Sequence, residues 1–129
     1  MKFTKWTFDG KDYYLSYNVM AVHQIYDLGI EDLSAAISDR GAKSFEQVCR
    51  AAEIMIQQGE LVRRYLGYDP GNVISAETLM LTLGLNHDFA LRRTMMEAVL
   101  DGLRSETDER QEVDLGLLEL QKKTGNEAP

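Results

Sequence analysis

Two histidines and a single cysteine are the side chains here best suited to hold a soft metal or to attack a substrate. His23 and His87 stand in separate segments, whereas a metal site needs two or three ligands spaced to share one face. Cys49 lies on an apolar helical stripe, where a thiol serves as a small hydrophobe. A nucleophilic Cys needs a neighbouring base and access to solvent. The carboxylate pairs Glu31-Asp32 and Asp108-Glu109 are adjacent in sequence, with no apolar pocket to separate their pKa values, and so read as solvated charges. Gly67-Tyr68-Asp69-Pro70-Gly71 lacks the Gly-Lys-Ser/Thr that a phosphate-cradling loop requires. These residues predict a protein that is not an enzyme and carries no metal or cofactor.

The elements that position them follow from patterning. The chain has 129 residues, 44% of them hydrophobic and 27% charged, with 21 Asp and Glu against 14 Lys and Arg, for a net charge of −7. That composition matches a soluble globular protein. Its acidity disfavours a protein whose main work is gripping phosphate backbones. One Cys forms no internal disulfide, and no apolar run nears the roughly 20 residues of a membrane span, so a soluble intracellular protein without a membrane partner is expected.

The first 17 residues alternate as a β-hairpin turning at Asp9-Gly10, with Thr4, Trp6 and Phe8 on one face and Phe3, Lys5 and Thr7 on the other. A lone hairpin is marginal in water, so its aromatics must lie on helices or pair with another chain. The period then changes to about 3.6. Asn18 is placed to cap a helix whose Val19, Val22, Ile25 and Tyr26 share a face and which ends at Gly29. A short helix through Glu31, Asp32, Leu33, Ala36 and Ile37 closes at Asp39-Arg40-Gly41. Ser44 and Gln47 form a capping-box pattern at the head of a long third helix, 45–66. Its apolar positions, Phe45, Val48, Cys49, Ala52, Met55, Ile56, Gly59 and Val62 among them, widen to more than one face, as expected of the spine of the domain. Glu46–Arg50 and Glu60–Arg64 have i,i+4 spacing on it. A fourth helix opens at Ser75 and ends at Gly84. A fifth, capped by Asn86 or Asp88, carries Phe89, Met96, Val99, Leu100 and Leu103 on its apolar side and Arg93, Glu97, Asp101 and Arg104 on the other. The predicted fold is mainly α, about five helices behind an N-terminal β-hairpin, with residues 1–103 as the hairpin and helical domain. Residues 104–129 form an acidic linker and a leucine-rich tail with a short helix of its own.

Three surfaces are candidates for binding. The tail leucines Leu115, Leu117, Leu118 and Leu120 follow a charged stretch and belong to a segment too short to hold a helix alone, so they must dock on their own domain, a sister subunit or another protein. Met95 and Met96 are adaptable apolar side chains that suit the core or a binding surface. Phe3, Trp6, Phe8, Tyr13 and Tyr14 would serve self-association if the hairpin paired between copies. A competing outline is a helix-turn-helix formed by helix four, Gly84-Leu85-Asn86 and helix five, in which Arg92 and Arg93 would touch nucleic acid. The apolar weight of helix five and the overall acidity make DNA binding the lesser reading.

The segments Tyr14-Leu15-Ser16-Tyr17-Asn18, Gln58-Gly59-Glu60-Leu61-Val62-Arg63-Arg64-Tyr65-Leu66-Gly67-Tyr68 and Val113-Asp114-Leu115-Gly116-Leu117-Leu118-Glu119-Leu120-Gln121-Lys122-Lys123 resemble tail assembly chaperones of long-tailed bacteriophages infecting Gram-positive hosts. The resemblance is one of pattern and order over most of the chain and includes no catalytic signature. It implies a small helical protein, made in the cytoplasm of the infected bacterium, that coats the tape-measure protein, keeps it soluble and helps recruit tail-tube subunits. It further implies that the protein is shed before the virion is complete. Family members are often made in short and long forms by ribosomal frameshifting, and Lys122-Lys123 is where a slippery run would be encoded. The alternative function is a small helix-turn-helix DNA-binding regulator of a phage or prophage.

Overall fold

Alternating aromatics and a two-residue turn build the first element. Strands β1 (Thr4–Phe8) and β2 (Lys11–Leu15) pair antiparallel with Trp6 opposite Tyr13 and Phe8 opposite Lys11. Asp9 and Gly10 both take positive φ (53° and 73°), the backbone that a two-residue hairpin turn matched to strand twist demands. The computed structural model describes the backbone of residues 3–124 and the side chains of residues 3–104. Five helices follow the hairpin: α1 (Val19–Asp27), α2 (Leu33–Ser38), α3 (Ala42–Tyr65), α4 (Ala76–Thr82) and α5 (Leu85–Thr124). The fold is thus mainly helical, fronted by one antiparallel hairpin. No helix among the described residues is long and apolar enough to cross a membrane.

The hairpin turns its Trp6, Phe8, Tyr13 and Leu15 face inward onto the helices, which resolves its marginal stability within one chain. Helix α3 is the axis. Val48, Cys49, Ala51, Ala52, Met55, Ile56 and Gly59 are all buried, and β2, α1, α2, α4 and α5 pack around it. At Gly59 the backbone of β2 comes so close that any Cβ would collide with the Tyr14 carbonyl. Two residues further on, the Ser16 N–H donates to the Met55 carbonyl at 3.0 Å, so strand and helix are joined by main chain as well as by side chains. Asn18 caps α1 by accepting the Ala21 N–H (2.9 Å) and also donates from Nδ2 to Gln58 Oε1 (3.1 Å), which sets the angle at which α1 leaves the hairpin.

Several local expectations change. The head of α3 is capped by Gly41, with no side-chain cap. Ser44 lies inside the helix and donates its hydroxyl to Asp39 Oδ2 at 2.7 Å, because Asp39 already turns back over this helix start through the Arg40 and Gly41 N–H groups. Those three donors hold the Asp39 carboxyl below the usual carboxylate range. Asp32 is the N-cap of α2, not a member of it. Helix α5 already begins at Leu85, and Asp88 supplies the acidic residue of its first turn. Glu60 meets Arg64 at i,i+4 spacing as expected (3.8 Å), but it is buried and not a surface residue. Its buried carboxylate takes Arg63 Nη1 (2.6 Å) and the Gly71 N–H (2.6 Å), and so clasps the loop after α3 back onto the helix. The polar stretch 104–112 does not interrupt α5, which runs on to Thr124, so the tail helix is the end of α5 and not a separate element. Glu, Arg and Gln are good helix formers, and a polar run is no helix breaker.

Candidate docking surfaces

The residues with chemical potential are dispersed. His23 is exposed on α1, and His87 lies beside the Phe8 ring edge at 5.0 Å. Cys49 is fully buried in α3, where desolvation, and then the Asp88 carboxylate, push its thiol up to about 12. That is the reverse of what activates a nucleophile. Among the described residues no three His, Cys, Asp or Glu side chains gather as a metal would require.

The helix-turn-helix outline has its corner at Leu83-Gly84, between α4 and α5. Arg92 is not available to a nucleic acid there. It is 7% exposed, and its guanidinium is spent on Asp88 (Nε–Oδ1 2.9 Å) and on the Ile37 and Asp39 carbonyls (Nη1, 2.7 Å each), the unpaired acceptors at the end of α2. The candidate DNA contact is therefore corrected to a strut between α2 and α5, while its neighbour Arg93 stands in solvent. Beside it, an open cleft of about 380 Å³ is lined by Arg40, Phe45, Leu83, Phe89 and Arg92. Its two arginines are already engaged, Arg92 as above and Arg40 over the Phe89 ring at 4.7 Å.

The hairpin aromatics divide. Trp6, Phe8 and Tyr13 are buried in the chain's own core, Trp6 stacked on Phe8 at 5.1 Å, so they are corrected from self-association residues to core residues. Phe3 and Tyr14 lie half-buried on the opposite face, edge to face at 5.4 Å, and the Arg63 guanidinium covers Tyr14 at 4.3 Å. Met95 is fully buried and belongs to the core, and Met96 is partly buried against it. Leu115, Leu117, Leu118 and Leu120 lie outside the described side chains.

Apolar side chains that do face outward gather on helices whose stripes the sequence assigns to the core. On α1 only Ala21 and Ile25 are buried. Val19 (72% exposed), Val22 (38%) and Tyr26 (61%) form the opposite face, with His23 among them and Met20 (55%) at its edge. On α5 the buried apolar side chains among the described residues are Leu91, Met95, Ala98 and Val99, while Phe89 and Leu100 stay about half exposed on another side. In both helices nearly every turn carries two apolar faces, so periodicity identifies the faces without choosing which one is covered. Compared with protein-family models, with curated proteins and with solved structures, the chain matches none.

Proposed function

We propose that the protein is a tail assembly chaperone of a long-tailed phage, which binds the tape-measure protein and keeps it soluble while tail-tube subunits assemble, and which performs no covalent chemistry. The observation that carries this reading is the set of outward apolar faces on α1 and α5, on a chain whose net charge is −7. A holdase needs apolar surface to cover the stripes of an unassembled helical client, and like charge to keep loaded complexes apart. Many copies along one filament supply strength by multivalency, so each contact can stay weak and reversible. The resemblance of the 14–18, 58–68 and 113–123 segments points the same way. Leu115, Leu117, Leu118 and Leu120 remain proposed client contacts. The protein would act in the cytoplasm of the bacterial host and be absent from the mature virion.

Co-expression with the tape-measure protein of the same phage tests this. The tape-measure protein should move from the pellet to the soluble fraction and co-purify, and deletion of residues 113–129 should abolish capture while the helical signal of residues 1–112 persists. A tape-measure protein that aggregates equally with and without this chain would refute the reading.

A further inference from the structure

We infer that the outer face of α1 is a docking site for a single amphipathic helix whose apolar stripe is flanked by lysines or arginines. The apolar part of the site is Val19, Val22 and Tyr26, spaced i, i+3 and i+7 along a nine-residue helix and exposed together, with Met20 beside them. That spacing presents one continuous ridge, the form in which an amphipathic helix is received. The α1 helix is held from behind, by Ala21 and Ile25 in the core and by the Asn18–Gln58 hydrogen bond, so the ridge is anchored to the domain.

Charge selects the occupant. From Asp12 to Asp39 the chain contains no Lys or Arg, and its ionised side chains there are Asp12, Asp27, Glu31, Asp32 and Asp39. Asp12 is matched by Lys5, and Asp32 and Asp39 are occupied with backbone N–H groups of α2 and of the turn that follows it. Asp27 and Glu31 pair with no cation among the described residues. Asp27 also sits in the last turn of α1, where the helix dipole favours a cation and the turn supplies none. The ridge therefore ends in uncompensated negative potential, which a basic flank would neutralise. A second copy would bring the same acidic ridge against itself. The chain's own 101–129 segment carries eight acidic side chains and four basic ones, a net −4, and is repelled in the same way. This inference rests on the chaperone reading only for the identity of the client.

The test uses the full chain and two synthetic peptides of about twenty residues with an identical leucine stripe, one flanked by Lys and the other by Glu, titrated by fluorescence anisotropy. The Lys-flanked peptide should bind at least tenfold more tightly. Val22→Ser with Tyr26→Ser should weaken it at least tenfold without changing the circular dichroism or the thermal midpoint. Asp27→Lys with Glu31→Lys should reverse the preference between the peptides. Leu81→Ser, at a leucine on α4 that is more exposed still, should change nothing. Three outcomes would overturn the inference: binding of the Lys-flanked peptide that ignores Val22→Ser/Tyr26→Ser, equal affinity for both peptides, or a wild-type dimer in light scattering that this double variant dissociates. Peptide binding that fails while the tape-measure protein is still kept soluble removes the α1 site and leaves the chaperone reading. Peptide binding beside an unprotected tape-measure protein does the opposite.

Discussion

Helices α1 and α3 make opposite use of apolar sequence. Helix α3 carries charged residues throughout, yet packs on several sides, its contacts reaching β2, α1, α2, α4 and α5. Helix α1 is almost free of charge until Asp27 and buries two side chains, Ala21 and Ile25. Apolar content therefore does not rank the two by burial. What separates them is position: α3 threads the middle of the chain's contacts, whereas α1 rests on α3 by one face and leaves Val19, Val22 and Tyr26 exposed on the other. A helix that spends apolar residues where its own fold does not need them is a candidate for meeting another molecule.

This contrast can be tested by substitution. The largest effect belongs to Gly59→Ala on α3. The added methyl meets the Tyr14 carbonyl, a backbone atom that cannot rotate away, and the cost should be about 4 kcal/mol in urea denaturation. Arg92→Ala should come next, at about 3 kcal/mol, since it strands Asp88 and the α2 carbonyls, whereas the adjacent exposed Arg93→Ala should fall within about 0.5 kcal/mol. Asn18→Ala, which removes both the α1 cap and the tie to Gln58, should cost about 1 kcal/mol. The smallest effect is expected for Val22→Ser and Tyr26→Ser, each within about 0.5 kcal/mol by the same measurement. A cost near 2 kcal/mol at either position would show that the outer face of α1 is covered within its own chain and would erase the contrast.

The sequence made the skeleton legible because short-range rules govern it. Asp9-Gly10, Asn18, Ser75 and the apolar run of α3 each act within a turn or two of themselves, and each lies where expected. The choice of face did not follow from such rules. Val19, Val22 and Tyr26 have the spacing of a core stripe, and they are left outside because α1 packs through Ala21 and Ile25 instead. Arg92 was misleading for a related reason. Its i,i+4 partner Asp88 is visible in the sequence, but its other partners are main-chain carbonyls of Ile37 and Asp39, far away in sequence, and a carbonyl leaves no trace in residue identity. Trp6, Phe8 and Tyr13 were ambiguous between packing inward and pairing outward, because an aromatic face states only that it must be covered.

The main-chain bond from Ser16 to Met55 has a kinetic consequence. The amides at the end of β2 cannot open to solvent by fraying of the hairpin alone, since doing so also detaches the strand from α3. Their hydrogen–deuterium exchange should therefore be as slow as that of the middle of α3. The N-terminal ribbon and the central helix would then form one foldon, with residues 39 positions apart released in the same event.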